Sequence, residues 1–216
     1  MMRIFIDSAD TEAIKSCFST GLVDGLTTNP SLIRKSGKKH EDVYQELKEI
    51  GIPDISMEVI GDRSNMISEG KRLHKKFGKC ATIKVPCTKD GLMACAALSD
   101  EGIRVNVTLI FDAAQAILAA TAGARYVSPF VGRLDDNSIE GLECITSICE
   151  IFSVQGVETC EVLSASIRDV KSVSQSFARG ASIVTMPPTV FEKMYNHVLT
   201  DKGLNIFEED SKQIPT

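Results

Sequence analysis

The sequence predicts a parallel (β/α)8 barrel with one extra helix at its C-terminal end, and three observations carry that prediction. Eight short β-type runs alternate with helix-like stretches along the 216 residues, the pattern of a parallel sheet wrapped in helices. Helix-start and helix-stop residues punctuate the stretches between them. Seven of the eight runs set polar residues on one parity and mostly apolar residues on the other, and successive strand side chains face opposite sides. A doubly wound open sheet is the competing arrangement. The barrel requires lean loops at this length, and no linker, charge block or low-complexity stretch divides the chain, so residues 1–216 read as one domain.

The first run, "RIFID" (3–7), places Ile4 and Ile6 on one side and Phe5 and Asp7 on the other. "DTEAIKSCFSTG" (10–21) follows as a helix, and Asp7 is itself a candidate cap for it. "GLTTN" (25–29) puts Thr27 and Asn29 on one face; Asn29 before Pro30 also suits a turn. "DISMEVI" (54–60) sets Ser56 and Glu58 against Met57 and Val59, and "ATIKVP" (81–86) sets Thr82 and Lys84 against Ile83 and Val85. The helix "TKDGLMACAALSDEG" stops at Gly102. "RVNVTLIF" (104–111) opposes Asn106 and Thr108 to Val105, Val107 and Leu109. The next helix starts at Asp112 and stops near Gly123. "RYVSPFV" (125–131) opposes Ser128 and Phe130 to Val127, and "EVLSASI" (161–167) opposes Ser164, Ser166 and then Arg168 to Leu163, Ala165 and Ile167. "DVKSVSQSFARG" ends at Gly180, and "SIVTMP" (182–187), with Ser182 and Thr185, has no clear parity. Residues 199–216 read as the extra helix and a tail.

If the apolar parity faces the helices, the polar parity converges inside the barrel, late in each strand, where barrel enzymes build their sites. Lys84 is the residue that most needs a reason. A buried ammonium is costly unless it is paired or gives up its proton, or snorkels out of the barrel mouth. A neutral lysine amine attacks a ketone and forms a Schiff base, whose iminium lets the neighbouring C–C bond break. Asp7 and Glu58 are the available proton carriers, and Thr108 can position a water. Arg133 and Arg168, near the ends of the sixth and seventh strands, with Ser166 as an added donor, suit a substrate phosphate.

Composition narrows the remaining classes. The formal net charge of −5 argues against nucleic acid as a partner. No window reaches the ~18 apolar residues of a membrane span, and "MMRIFIDSAD" does not read as a signal peptide. The seven scattered cysteines contain no C-x-x-C, which points to free thiols in a reducing cytoplasm. His40, His74 and His197 form no metal or triad spacing, and no nucleotide-binding glycine motif occurs. The expectation is therefore chemistry without metal or cofactor, on a sugar phosphate.

"FIDSAD", "GLTTNPSL", "SMEV", "IKVPCTKDGL", "NVTLIFDAAQA", "YVSPFVGRLDD", "LSASIRD" and "IVTMPP" together resemble the small-subunit transaldolase family, which is grouped with fructose-6-phosphate aldolase. The resemblance implies a class I aldolase barrel with Lys84 as the Schiff-base lysine. It makes Asp7 the acid/base for the C4 hydroxyl, and Glu58 and Thr108 the holders of the catalytic water. Thr27, Asn29, Asn106 and Ser128 become the lining around the dihydroxyacetone unit, and Arg133, Ser166 and Arg168 the phosphate side. The implied reaction is transfer of dihydroxyacetone from sedoheptulose 7-phosphate or fructose 6-phosphate to glyceraldehyde 3-phosphate or erythrose 4-phosphate, in the pentose phosphate pathway. The implied assembly is a homo-oligomer, a decamer or pentamer. The aldolase branch usually carries Gln where this chain has Glu58 and Tyr where it has Phe130, so the resemblance favours transfer over release of free dihydroxyacetone. A non-catalytic sugar-phosphate-binding barrel is the reading from another class.

Overall fold

Parallel strands must bury both faces, and this chain does so by closing the sheet on itself. The computed structural model describes residues 2–214. Its order is β1 (Arg3–Asp7), α1 (Thr11–Ser19), β2 (Gly25–Thr27), α2 (Pro30–Ser36), α3 (His40–Ile50), β3 (Ile55–Glu58), α4 (Arg63–Phe77), β4 (Ala81–Pro86), α5 (Lys89–Asp100), β5 (Val105–Ile110), α6 (Ala113–Thr121), β6 (Tyr126–Pro129), α7 (Val131–Asp135), α8 (Gly141–Val154), β7 (Glu161–Ser164), α9 (Val170–Ala178), β8 (Ile183–Met186), α10 (Pro188–Lys193) and α11 (Val198–Ser211). Each strand pairs in parallel with the next, and β8 returns to β1 with Phe5 opposite Thr185.

The caps sit where the sequence places them, with one shift. Asp112 accepts from the Gln115 amide at 2.8 Å, and Gly102, Gly123 and Gly180 take positive φ just past their helices. The first helix is capped by Asp10, which accepts from the Ala13 amide at 3.1 Å, so Asp7 is released from that duty. Asn29 caps α2 by accepting from the Leu32 amide at 3.0 Å. The short helices α2 and α7 are additions to the eight-fold alternation.

The barrel interior has two storeys. At the amino-terminal end, Phe5, Tyr126, Leu163 and Ile183 pack together, with Phe5 edge-on to Tyr126 at 6.2 Å between ring centres. Gly25 makes room for this: a Cβ there would lie 2.5 Å from the Phe5 ring. Beneath the aromatic pair a polar network seals the barrel. Buried Asp54 accepts from Thr82 Oγ1 at 2.7 Å, Arg104 Nη1 at 2.7 Å and the Tyr126 hydroxyl at 2.8 Å. Arg3 pairs with Glu161 at 2.6 Å. The apolar parity of β3 and β4 packs outward against the helices, as expected.

Two strands depart from their expected parity. In β5, Leu109 takes φ 59° where the pairing with β6 is irregular between Val107 and Ile110, so Ile110 and not Leu109 joins Val105 and Val107 in the core. Leu163 of β7 and Ala165 just past its end face the interior, and Ser164 faces outward, its hydroxyl 2.9 Å from that of Ser176 on α9. The inner wall needs an apolar residue against Phe5 and Tyr126, and a serine hydroxyl is as well satisfied by a helix as by a pocket. Ser166 reaches the pocket by another route. It lies past the end of β7 with φ 58°, and this left-handed turn redirects its side chain.

Candidate active site

The polar storey opens at the carboxyl ends of the strands into a cavity of about 110 Å³. Lys84 stands at its floor on β4 and is only 4% exposed, so the amine does not snorkel to the mouth. It is paired instead: Nζ lies 3.0 Å from Glu58 Oε2 and donates to the Thr28 carbonyl at 2.9 Å. β3 and β4 set this pair directly, since Glu58 is opposite Lys84 in the register.

Asp7 lines the same cavity from β1. Thr27 Oγ1 donates to its carboxylate at 2.7 Å and lies 2.8 Å from Thr185 Oγ1. Burial pushes the Asp7 carboxyl above the ordinary carboxylate range, against the lowering pull of Lys84 and the Thr27 hydroxyl. On the next wall, Ser128 donates to Asn106 Oδ1 at 2.7 Å and Asn106 Nδ2 donates to Ser56 Oγ at 3.1 Å. The chain of bonds fixes the amide's orientation. Thr108 is 1% exposed and faces the cavity, and its hydroxyl has no partner among the described residues. A buried hydroxyl left open in this way is a ready position for a water or a substrate hydroxyl.

The far wall is aromatic and cationic. Phe130 stands edge-on to Phe111 at 5.9 Å, and the Arg133 guanidinium sits 4.9 Å from the Phe130 ring centre. The amides of Val131 and Gly132 donate to the carbonyls of Ala165 and Ser166 at 3.0 and 3.1 Å, which ties the start of α7 to the end of β7. Gly132 is required by the closeness of that crossing, because a Cβ would lie 2.2 Å from the Ser166 carbonyl oxygen.

Of the residues expected from sequence, Asp7, Thr27, Asn29, Lys84 and Thr108 line this one cavity. Ser128, Phe130, Arg133 and Ser166 complete the set, with Thr185 and Ala165 added. Glu58 lies behind Lys84, Asn106 lies buried beneath Ser128, and Arg168 stands outside, bound to Asp136. Thr185 belongs to the strand whose parity is ambiguous in sequence. The Thr28 carbonyl carries no sequence signal, being backbone. Cys87, three residues past Lys84, points away from the pocket, with Sγ 3.9 Å from the Gln115 carbonyl, and burial pushes its thiol up.

Comparison with known proteins places the whole chain in one family. The family model for transaldolase/fructose-6-phosphate aldolase matches residues 4–215. A probable transaldolase of Caulobacter vibrioides is 49% identical over 210 residues, which is 97% of this chain and 96% of the relative. One from Paracoccus denitrificans is likewise 49% identical with the same coverage. One from Ruegeria pomeroyi is 48% identical over 212 residues, 98% of this chain and 97% of the relative. With a lysine at the floor of a closed parallel barrel and a match that runs through nearly every residue, this chain belongs to the transaldolase/fructose-6-phosphate aldolase family.

Proposed function

We propose that the chain is a transaldolase that carries a dihydroxyacetone unit from a ketose phosphate to an aldose phosphate on Lys84. The observation that supports this best is the pairing of Lys84, on the floor of a polar cavity, with Glu58 behind it at 3.0 Å. A binding barrel gains nothing from burying two charges, whereas an imine-forming enzyme needs a lysine amine and a group that takes its proton. Glu58 takes a proton from Nζ, and the amine attacks the C2 carbonyl. The carbinolamine oxygen leaves as water, with Glu58 returning the proton and Thr108 holding the water. The Asp7 carboxylate then removes the C4 hydroxyl proton. The C3–C4 electron pair moves into the iminium, giving an enamine and a free aldose phosphate. Attack of the enamine C3 on the acceptor aldehyde forms the new bond, Asp7 gives its proton to the new C4 oxygen, and water releases the ketose. Arg133, Ser166 and Arg168 hold the phosphate. Donors are sedoheptulose 7-phosphate or fructose 6-phosphate, as in the pentose phosphate pathway. Borohydride reduction in the presence of fructose 6-phosphate tests this: the Lys84 peptide gains the mass of a reduced dihydroxyacetone adduct. No adduct, or one on another lysine, overturns it.

The raised Asp7 carboxyl gives the activity a signature. Its base form appears only as pH rises through the raised value, so the acid limb of kcat/KM falls above the ordinary carboxylate range. Asp7→Asn removes most turnover and that limb with it. The stability that comes with protonated Asp7 has the opposite sense. It is present at low pH and is lost as pH rises through the folded-state value. An acid limb at the ordinary carboxylate position separates Asp7 from the proton transfer.

Phe130 bears on transfer against release. Its ring presents no hydroxyl to the cavity, so water at the enamine carbon goes unassisted. Phe130→Tyr should raise the ratio of free dihydroxyacetone release to transfer onto erythrose 4-phosphate, on the order of tenfold. An unmoved ratio removes Phe130 from control of that partition.

The same proposal extends to assembly and location. Leu199, Ile206 and Phe207 on α11 are exposed, an apolar stripe that supports a homo-oligomer such as the pentamer or decamer the family resemblance implies. Sedimentation as a monomer refutes that part. The seven free cysteines support a cytoplasmic protein, as a reducing fractionation with the cytosolic pool would verify.

A further inference from the structure

We propose that Asp136 tempers the affinity for substrate phosphate by occupying Arg168 until a phosphate displaces it. The proposal rests on the reading of Arg168 as a phosphate ligand. Its observation is the state of the two arginines on the phosphate side. Arg133 lies over the Phe130 ring and has no carboxylate partner among the described residues. Arg168 donates from both terminal nitrogens to the two oxygens of Asp136, fork against fork. The two residues are 32 positions apart and are brought together by the α7–β7 crossing, where Gly132 leaves room for the Arg168 stem. The guanidinium holds the Asp136 carboxyl below the ordinary carboxylate range, so the carboxylate is charged wherever the enzyme works.

A phosphate needs the same fork that Asp136 uses. It brings up to two negative charges and three acceptor oxygens against one charge and two oxygens. The pair is solvent-exposed on both sides, and such pairs are weak enough to be exchanged. An unphosphorylated sugar has nothing to offer the guanidinium and leaves the pair closed. Asp136 therefore lowers phosphate affinity while keeping Arg168 out of unproductive contacts. It tunes phosphate binding through Arg168 and touches none of the reacting carbons.

The experiment compares wild type, Asp136→Asn, Arg168→Ala and the double variant. The readouts are KM and kcat for fructose 6-phosphate, kcat/KM for fructose, and inhibition by inorganic phosphate. Asp136→Asn should lower both the KM for fructose 6-phosphate and the inhibition constant of phosphate by about three- to fivefold. It should leave kcat within about twofold and fructose unchanged. In the Arg168→Ala background the same substitution should do nothing. An unchanged or raised phosphate inhibition constant in Asp136→Asn overturns the proposal, because Asp136 would then be inert or would be orienting Arg168 for the phosphate. Arg168→Ala separates this from the underlying reading. If it weakens fructose 6-phosphate and fructose equally, Arg168 is no phosphate ligand, and the latch falls with it. If it weakens fructose 6-phosphate alone, the ligand stands whatever Asp136 does.

Discussion

Lys84→Arg should leave a folded barrel whose transfer from fructose 6-phosphate to erythrose 4-phosphate is down by on the order of 10³ or more. Arginine keeps the positive charge beside Glu58 and stays protonated, so the pair persists while the nucleophile is gone. The cavity above Lys84 gives the longer side chain somewhere to go. Lys84→Met makes the complementary change. It removes the amine at similar volume and leaves the Glu58 carboxylate, 11% exposed, without its partner, which costs on the order of 3 kcal/mol. The two variants thus divide chemistry from stability. Both should be inactive and refuse the borohydride adduct, and only Lys84→Met should melt markedly early. Turnover of Lys84→Arg within about tenfold of wild type would sink the imine mechanism.

Asp54→Ala should have its effect at the other end of the barrel and of the opposite kind. Three donors lose one acceptor: Thr82 Oγ1, Arg104 Nη1 and the Tyr126 hydroxyl. The hydroxyls are buried, and a buried donor left open costs about 1–3 kcal/mol. Arg104 is partly exposed and recovers water, so the sum is about 3 kcal/mol rather than three full penalties. For a chain of this size that lowers Tm by about 6–12 °C. Asp54→Asn keeps an acceptor and should lose about half as much. At a temperature where both variants are folded, kcat/KM should match wild type, since the network lies beneath the aromatic storey. A Tm within about 2 °C of wild type in Asp54→Ala shows that the network contributes little.

Alternation and capping made the barrel legible, because both are local rules. Lys84, Glu58, Asn106, Thr108 and Ser128 could be assigned to the interior because each directly follows an outward-facing apolar residue of its strand. The rule lapsed where the strand ended. β7 stops at Ser164, so Ser166 is placed by a left-handed turn that no parity count registers, and Ser164 turned outward because a helix hydroxyl was waiting there. Contacts that join distant parts of the chain were invisible for a different reason. Thr27 and Thr185 are 158 positions apart, and the Tyr126–Asp54 bond spans 72. Nothing in either local stretch announces the other. Asp54 itself read as the unremarkable start of a strand. The Arg168–Asp136 pair shows the limit most sharply: sequence supplied the arginine's chemistry, and only the fold showed that a carboxylate already occupies it.

The sealed amino-terminal end has a kinetic consequence. Aromatic rings and the Asp54 network stop that end of the barrel, and the Lys84 cavity opens at the other. Visitors to Lys84 therefore share one doorway. In the proposed mechanism the first aldose must vacate it before the second can approach the waiting three-carbon fragment, and the two never meet on the enzyme. Turnover is an exchange in two half-reactions, and the initial-rate plots for donor and acceptor should run parallel instead of converging. The plug that holds the barrel shut thus also dictates the sequence of arrivals and departures at its open end.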